Sequence, residues 1–236
     1  MISVCIATYN GEKYIKEQLL SILHQLNKND EVIISDDHST DNTIEVIKSL
    51  NDNRIKIFLN EKDKGYTRNF ENALEKASGD IIFLSDQDDV WMDEKVKKSL
   101  ILLKDNDFVV SDAQVVDNDL KTLAKSNFEI RNVKHGFFNN FIRCRYLGAC
   151  YAFNKNVIIK SLPFPKNSEY IPHDYWIYMI AISNFRVGVI NEPLIQYRRH
   201  TLNTSSGGYK SYNSLFKRIK IRVYLLFALL KKSILR

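Results

Sequence analysis

The chain has 236 residues and a formal net charge of +6, and 44% of its residues are hydrophobic, with only 8 Gly and 4 Pro. This composition allows one large domain with a buried core and excludes collagen-like and Pro/Gly-rich low-complexity proteins. The positive charge belongs to residues 193–236, which hold ten Lys and Arg and no Asp or Glu and leave 24 basic and 28 acidic residues in 1–192. An acidic body argues against nucleic-acid binding, which needs basic residues spread over a docking face.

Apolar runs alternate with amphipathic helical patterns through the first half, as is typical of a parallel sheet covered by helices. The second half is less regular, and no linker separates two domains. The predicted strands are residues 4–7, 31–35, 54–59, a run from 81, 108–116 and 146–153, and the predicted helices are 13–26, 43–50, the stretch between Gly65 and Ser78, 92–103 and 174–185.

The three cysteines, Cys5, Cys144 and Cys150, form an odd set without metal-ligand spacing. Such cysteines indicate a reducing, intracellular environment. The sequence opens with a strand pattern rather than a basic region followed by an apolar run, so we expect no signal peptide. The predicted localisation is therefore the cytoplasm.

Polar loops follow the first, second and fourth predicted strands. They carry Thr8-Tyr9-Asn10, Asp36-Asp37 and Asp86-Gln87-Asp88-Asp89. Ligands of open α/β sheets bind outside the carboxyl ends of the strands, so these loops should converge on one site. The first loop has a single glycine, Gly11, and matches neither G-x-G-x-x-G nor G-x-x-x-x-G-K-[ST]. This disfavours a dinucleotide oxidoreductase and a P-loop phosphohydrolase.

The fourth strand ends in Asp86, Asp88 and Asp89, three carboxylates within four residues. Residues two apart on a strand point the same way, so Asp86 and Asp88 can share one divalent cation and leave the rest of its shell to phosphate. An isolated Asp-x-Asp is more often a solvated acidic turn. The position after a buried strand favours a site for a metal-bound polyphosphate.

The order of these motifs resembles the family 2 glycosyltransferases of the GT-A fold, over residues 1 to about 205. The segments that carry this resemblance are 2–10 with Tyr14, 36–41, 65–72 and 86–89. The run Asp86-Gln87-Asp88-Asp89-Val90-Trp91, with Tyr197-Arg198-Arg199-His200 and Asn203, is most similar to enzymes of bacterial surface-polysaccharide assembly, including rhamnosyltransferases.

The resemblance implies an α/β fold with a single mixed, mostly parallel sheet flanked by helices. It divides a GT-A domain over residues 1–212 into a Rossmann-like nucleotide-binding half, 1–118, and an acceptor-binding half, 119–212. Residues 213–236 would follow as a basic amphipathic helix.

For the donor, the resemblance implies that Tyr9 stacks on a pyrimidine base and that Asp37 accepts a hydrogen bond from its edge. Stacking on an aromatic ring contributes roughly 1 to 3 kcal/mol, and a carboxylate can only accept. The alternatives are a half-buried ring for Tyr9 and helix capping by Asp37, while Asp36 is the better candidate for a structural role. The other side chains expected at the nucleotide are Thr8, Asn10, Arg68, Asp86, Arg198 and Arg199.

For the reaction, the resemblance implies Mg²⁺ or Mn²⁺ on Asp86 and Asp88, with His200 as a candidate third ligand. It places the base that deprotonates the acceptor at Asp174, for which helix capping is the structural alternative. Many members have Glu-Asp where this chain has His173-Asp174, so His173 is a reserve candidate for the base.

Arginine forks match phosphate geometry, which favours Arg198 and Arg199 as contacts of the diphosphate. A solvated strand end is an equal alternative for both, and a helix-surface position is one for Arg68. Residues 201–208 are polar, as expected of a lid that orders when the donor binds.

Residues 213–236 mix Lys and Arg with Phe and Leu in a helical pattern. The apolar run 223–230 is far shorter than the roughly 20 residues that span a bilayer. We therefore expect residues 214–236 to lie on an anionic membrane surface and to attach the protein to the inner face of the cytoplasmic membrane. Packing on the core and a dimer contact are the alternatives.

The expected function is a metal-dependent, inverting glycosyltransferase that moves a sugar from a UDP- or dTDP-sugar, with dTDP-rhamnose among the candidates. The acceptor would be a saccharide or lipid-linked saccharide hydroxyl in cell-surface polysaccharide synthesis, and no nucleic-acid partner is expected. A nucleotidyltransferase is the main alternative, although it should carry a Gly-rich basic loop after the first strand. The donor sugar depends on pocket shape, which the weakly patterned second half does not reveal.

Overall fold

The computed structural model describes residues 1–200 and 214–234, so the expected lid and Asn203 lie outside the described residues. The first half contains β1 (Ile2–Thr8), α1 (Ile15–Leu23), β2 (Glu31–Asp36), α2 (Thr43–Ser49), β3 (Ile55–Leu59), α3 (Tyr66–Lys76), β4 (Ile81–Asp86), β5 (Val90–Trp91), α4 (Lys95–Leu103) and β6 (Phe108–Val116). The second half contains β7 (Thr122–Ala124), α5 (Asn127–Ile130), α6 (Phe137–Ile142), β8 (Tyr151–Asn154), α7 (Lys155–Ser161), α8 (His173–Asn184), β9 (Val187–Arg198) and α9 (Leu215–Ile234).

The nine strands of the described chain form one sheet, in the order β3-β2-β1-β4-β8-β6-β9-β5, with β7 paired to β6. Strands β3, β2, β1 and β4 are mutually parallel, and β8 runs antiparallel to both β4 and β6. Strand β6, which opposes β8, therefore points the same way as the first four strands, and β9 is parallel to it. This mostly parallel sheet with flanking helices confirms the predicted fold class.

The central strands are buried along almost their whole length, including every residue of β2. Strands covered by helices on both faces read as continuous Val/Ile-rich runs, which is the pattern seen in the sequence. Helix α3 covers one face with Phe70, Ala73 and Leu74, spaced at i, i+3 and i+4. Phe70→Ala would remove this contact at a cost of about 3 to 5 kcal/mol.

The carboxyl ends of β1, β2 and β4 lie side by side at one edge of the sheet. Thr8 is in register with Asp36, and Ala7 is in register with Asp86. The loops that follow these strands therefore start from one edge, which confirms their predicted convergence.

The region predicted as a strand over 146–153 is different. Residues Gly148–Cys150 form a 3₁₀ turn, and β8 begins only at Tyr151. The turn lies against the start of α8, where a Cβ on Gly148 would come within 3.1 Å of the Asp174 Cβ. The close backbone approach expected at Gly148 is therefore present, but within a turn.

The sequence pattern does not predict β9 as a strand. Gly188 and the run Asn191-Glu192-Pro193 interrupt its apolar residues. Its pairing with β6 shifts register after Ser111 and again after Asp112. Such irregularities bend a strand and hide its period of two.

Helix α9 confirms the predicted C-terminal helix. It buries Leu225 and Leu229, its Tyr224 hydroxyl accepts the Asn167 N–H at 3.1 Å, and the Lys160 Nζ of α7 donates to the Lys232 carbonyl at 3.1 Å. One of its faces therefore packs on the body of the protein. Within residues 1–200 and 214–234, no helix combines the length and apolarity that crossing a membrane requires.

Candidate active site

The loops after β1 and β4 are joined by the side chain of Gln87. Its Oε1 accepts the Tyr9 N–H at 2.9 Å, and its Nε2 donates to the Tyr9 carbonyl at 3.1 Å. One amide thus satisfies both backbone groups of Tyr9 and fixes where its ring stands. This role of Gln87 was not predicted, because a glutamine between two aspartates carries no distinctive signal.

The three residues predicted on the first loop have different environments. The Tyr9 ring is 53% exposed, whereas the Thr8 side chain is buried and donates to Asp36 Oδ1 at 3.0 Å. Asn10 has a positive φ of 49°, and its Oδ1 accepts the Thr40 N–H at 2.8 Å. Only the Tyr9 ring presents a broad face to solvent, while Thr8 and Asn10 tie the loop to the residues after β2.

Asp36 and Asp37 both hold loops in place. Asp36 accepts hydrogen bonds from the Ser39 N–H and hydroxyl at 2.8 and 2.6 Å, as expected for its structural role. Asp37 accepts the Asn60 side-chain amide at 2.7 Å and the Gly65 N–H at 2.8 Å. Asp37 therefore fixes the loop that leads into α3, and it does not cap α2.

The acidic loop after β4 concentrates three carboxylates in a partly buried space. Burial raises the pKa of Asp86 to about 7, and the charges of Asp88 and Asp174 add to this effect. Burial also raises the pKa of Asp88, although the hydrogen bond from His200 opposes the rise. Burial and the charges of Asp88 and Asp86 raise the pKa of Asp89 well above 3.8. The loop thus favours either protonated carboxyl groups or an added positive charge.

Arg198, at the end of β9, holds the acidic loop. Its backbone N–H donates to Asp89 Oδ1 at 2.9 Å, and its Nε donates to the Asp88 carbonyl at 2.8 Å. The rest of its buried guanidinium reaches the Glu17 carboxylate at 2.5 Å and the Asn118 carbonyl. The Arg198 guanidinium, which was predicted to contact the diphosphate, thus binds groups of the protein itself.

His200 lies directly against the acidic loop. Its Nε2 is 2.8 Å from Asp88 Oδ2, and its ring stacks on Tyr14 with centroids 5.0 Å apart. Arg198 lies over the same Tyr14 ring at 4.7 Å. His200 therefore lies next to Asp88, as is required if both side chains are to bind one metal ion.

The chemistry of these side chains fits a divalent cation in an open site. Asp89 Oδ2 is buried without a hydrogen-bond partner in the described chain, and the nearby carboxyl pKa values are raised. Among the residues that the structure describes, no three His, Cys, Asp or Glu side chains gather closely enough to hold an ion alone. Phosphate oxygens would have to complete the shell, as is common for Mg²⁺.

Asp174 lies in the first turn of α8, and its Oδ1 accepts the Tyr175 N–H at 2.7 Å. The N-cap of this helix is Pro172, so Asp174 is not the capping residue. The Asp174 charge is close enough to Asp86 to contribute to its raised pKa. The two carboxylates therefore lie within electrostatic range of each other, and the role of Asp174 as the base stays a prediction.

The side chain of His173 is buried in the core. Its ring is 5% exposed and stacks on Phe70 with centroids 4.1 Å apart. Burial lowers its pKa to about 4. Neither ring nitrogen has a hydrogen-bond partner in the described chain.

Tyr66 is a site residue that the sequence does not indicate. It begins α3 immediately after Gly65, which is bound to Asp37, and its ring lies edge-on to His173 at 5.8 Å. Burial and the charges of Asp174 and Asp86 raise its pKa. The half-exposed ring therefore lies beside His173, within electrostatic range of Asp174 and Asp86. The signal for it is Gly65, whose φ of +116° marks a sharp turn.

The remaining predicted arginines have separate positions. Arg68 pairs with Glu71 at 2.5 Å and donates to the Pro165 and Lys166 carbonyls at 2.7 and 2.8 Å, which ties α3 to the loop after α7. Arg199 is partly exposed, and its backbone N–H donates to the Val116 carbonyl at 2.9 Å.

Sequence comparison finds similar proteins across most of the chain. The sequence model of the family described as Glycosyl transferase family 2 matches residues 3–162. A dTDP-rhamnosyl transferase of Shigella flexneri is 29% identical over 227 residues, which cover 91% of this chain and 78% of that protein. A UDP-Glc:alpha-D-GlcNAc-diphosphoundecaprenol beta-1,3-glucosyltransferase of Escherichia coli is 26% identical over 217 residues, 89% of this chain and 81% of that protein.

Solved structures with the same fold are also found. Residues 1–349 of TarS from S. aureus, in complex with UDP-GlcNAc, match with a TM-score of 0.72 and 20% identity over 96% of this chain and 66% of that one. The mannosyltransferase PcManGT from Pyrobaculum calidifontis, in complex with GDP-Man and Mn²⁺, matches with a TM-score of 0.65 and 18% identity over 98% of this chain and 64% of that one. The chain spans about two thirds of the length of these structures, and the match confirms the GT-A fold.

Proposed function

The chain belongs to glycosyltransferase family 2, and from this premise we propose that it transfers a sugar from a UDP- or dTDP-sugar to a hydroxyl of a saccharide or lipid-linked saccharide, with inversion at the anomeric carbon. The observation that carries the proposal is the convergence of the loops after β1, β2 and β4 at one edge of the sheet, with the Asp174 charge close enough to contribute to the raised pKa of Asp86. The family match favours a glycosyltransferase over the nucleotidyltransferase that was the main alternative from the sequence.

The nucleotide would bind at the loops after β1 and β2. The exposed ring of Tyr9 offers a stacking surface for a pyrimidine, held in place by Gln87. Asp37 already accepts two hydrogen bonds, but a carboxylate has about four acceptor positions, so it can also accept from the base edge. Relatives that carry UDP-Glc or dTDP-rhamnosyl in their names support a uracil or thymine donor.

Asp86, Asp88 and His200 are the residues that would hold Mg²⁺ or Mn²⁺. When bound, the ion would neutralise the charge that develops on the departing nucleotide diphosphate. The raised pKa values of Asp86 and Asp88 and the contact of His200 with Asp88 support this site. Mn²⁺ in the similar mannosyltransferase structure is independent support.

Asp174 would act as the base. It takes the proton of the acceptor hydroxyl while that oxygen bonds to the anomeric carbon, and the bond from this carbon to the diphosphate oxygen breaks. A single displacement of this kind inverts the configuration and releases UDP or dTDP. The buried ring of His173, with its pKa of about 4, makes that residue the weaker candidate near neutral pH.

The arginines would contribute mainly by positioning. Arg198 orients the acidic loop through its contacts with Asp88 and Asp89, and Arg68 ties α3 to the loop after α7. Arg199, with its partly exposed side chain, is the arginine that we propose for the diphosphate.

The relatives and helix α9 support a proposal for the acceptor and for the location of the protein in the cell. The E. coli relative acts on a diphosphoundecaprenol-linked sugar by its name, which supports a lipid-linked acceptor in cell-surface polysaccharide synthesis. Helix α9 carries six Lys and Arg and no acidic residue, which supports peripheral attachment to the inner face of the cytoplasmic membrane.

The test is a panel of UDP- and dTDP-sugars, with UDP-glucose and dTDP-rhamnose first, assayed with Mn²⁺ for thermal stabilisation and for release of the nucleotide diphosphate. A donor at about 100 times its Kd should stabilise the fold by about 2.7 kcal/mol. GDP-mannose is the purine control. The proposal fails if no pyrimidine donor stabilises the protein or is turned over.

A further inference from the structure

Helix α9 has a second apolar face that the other described residues, 1–200, leave uncovered. The packed face contains Leu225 and Leu229, whereas Phe216 is 78% exposed. The exposed residues recur every three or four positions, so they form one stripe along the helix. They are Leu215, Phe216, Ile219, Val223, Leu226, Phe227 and Leu230.

Helix α6 presents exposed apolar residues beside this stripe. Phe138 is 79% exposed and Ile142 is 60% exposed, and their spacing of four places both on one face of α6. Arg222 of α9 donates from Nη2 to the Ile142 carbonyl at 2.6 Å. The two helices therefore meet at Ile142, and their exposed apolar residues belong to one region of the surface.

The charge of this region is mainly positive, and the Glu169 carboxylate beside α9 is neutralised by an ion pair with Lys217 Nζ at 2.7 Å. Residues 130–168, which include α6, contain no Asp or Glu, and residues 214–234 contain none either. The basic residues of the first segment are Arg131, Lys134, Arg143, Arg145, Lys155, Lys160 and Lys166, and those of the second are Lys217, Arg218, Lys220, Arg222, Lys231 and Lys232.

We propose that α6 and α9 together form a membrane-docking surface, the α6–α9 surface, that fits an anionic lipid bilayer. Exposed Phe, Leu and Ile side chains can enter the headgroup region while the surrounding Lys and Arg contact anionic lipid. A second copy of the chain would bring the same positive charges against each other, which disfavours self-association. The proposal deepens the proposed function, since it adds α6 to the expected attachment through residues 214–236.

The α6–α9 surface is linked to the reaction site by a short path of contacts. The Tyr175 hydroxyl of α8 donates to the Phe141 carbonyl of α6 at 2.7 Å, and Tyr175 follows Asp174 in the chain. A bilayer beneath α6 would therefore lie on the Asp174 side of the molecule. That arrangement suits an acceptor sugar whose diphosphate is anchored in the same bilayer.

The experiment measures flotation of the full chain with vesicles of phosphatidylcholine plus phosphatidylglycerol, and with vesicles of phosphatidylcholine alone. Phe138→Ser with Ile142→Ser tests α6, and Phe216→Ser with Phe227→Ser tests α9. Leu20→Ser with Ile101→Ser is the matched control, since both residues are exposed on α1 and α4, away from the α6–α9 surface. Each protein is also assayed for donor hydrolysis and for mass by light scattering.

We expect each test variant to lower binding to the anionic vesicles by about tenfold, because each removes two inserting side chains, while the control binds like the unmodified chain. Unchanged flotation of the α6 variant overturns the proposal, even if the α9 variant is lost from the vesicles. A dimer that the α6 variant converts to a monomer overturns it as well. Normal flotation behaviour without hydrolysis of any donor supports the surface and contradicts the proposed function, so the two failures are distinguishable.

Discussion

Gly11 and Gln87 are packed so closely that a Cβ on Gly11 would lie 2.5 Å from the Gln87 Oε1. The same Oε1 accepts the Tyr9 N–H, so the space left by the missing side chain is what allows Gln87 to hold the first loop. A residue of the β1 loop thus controls the geometry of the β4 loop.

Gly11→Ala should weaken donor binding by about tenfold, because Gln87 must move and two hydrogen bonds of about 0.5 to 1.5 kcal/mol each are disturbed. Calorimetric titration with the nucleotide measures this. In a Gln87→Ala background, the same Gly11→Ala change should have little further effect. Additive losses would show that Gly11 acts through something other than Gln87.

Asp174→Asn should lower the transfer rate by about 10²- to 10⁴-fold, as expected for loss of a positioned base, with little change in thermal stability. His173→Phe is the comparison, because the new ring can stack on Phe70 in the same core position. Steady-state kinetics should show that this variant keeps most of its rate. If instead His173→Phe is the inactive variant, the base is His173.

Arg198→Lys should destabilise the protein without donor, since a lysine cannot reproduce the contacts with Glu17, Asn118 and the Asp88 carbonyl. The Glu17 side chain is 52% exposed, so the ion pair itself contributes about 1 kcal/mol or less, whereas each buried carbonyl left without its hydrogen bond costs about 1 to 3 kcal/mol. Denaturant unfolding measures the loss of stability, with Arg199→Lys as the neighbouring control. If the Arg198→Lys variant has normal stability but binds the donor weakly, Arg198 contacts the phosphate, as the sequence predicted.

Glu31 should make stability depend on acid pH. Burial alone would raise its pKa, but hydrogen bonds from Lys56, Ser3 and Ser78 lower it from 4.5 to about 2. Because the folded pKa is the lower one, the stabilisation is complete above about pH 4.5 and is lost as the pH falls towards 2. A shift of this size corresponds to on the order of 3 kcal/mol.

The difference in unfolding free energy between the unmodified chain and Glu31→Gln should therefore shrink from pH 6 to pH 3. Denaturant unfolding at several pH values gives this difference directly. A gap that stays constant over the range would mean that Glu31 contributes through packing rather than through its charge.

Mn²⁺ added with UDP should raise the thermal midpoint of the unmodified chain more than UDP alone, because the cation relieves the crowding of Asp86, Asp88 and Asp89 while the diphosphate completes its shell. Asp88→Asn should abolish this response, and chelation should abolish turnover. Asp93→Asn, at an exposed carboxylate of the next loop, is the control and should respond like the unmodified chain. Equal responses of all three proteins would place the cation elsewhere.

The first half of the fold was predictable because its strands are buried on both faces and its helices have clear apolar stripes. The acidic loop and the Tyr9 loop were predictable for a related reason, since the ends of parallel strands meet at one edge. Strand β9 was not predictable, because Gly188 and Pro193 interrupt its pattern and long-range pairing with β6 overrides it. Local sequence does not encode such pairing.

The individual roles within the site were harder to predict than its location. A carboxylate such as Asp37 can bind a ligand or two neighbouring loops, and only the contacts with Asn60 and Gly65 show the second use. The same holds for Arg198, whose charge suggested phosphate while its contacts lie within the protein. Gln87 gave no signal because its role depends on residues distant in the chain, and Tyr66 was marked only by the glycine that precedes it.

The interleaved order of β4, β8, β6 and β9 has a consequence for engineering. Strand β8 comes from the later part of the chain but is inserted between two strands of the earlier part. A chimera with a junction near residue 118 would replace both neighbours of β6 at once, and a fragment truncated there would expose unpaired edges on β4 and β6, which promote aggregation. Exchange of acceptor preference between relatives is therefore better attempted by grafting loops and α6 than by recombining halves.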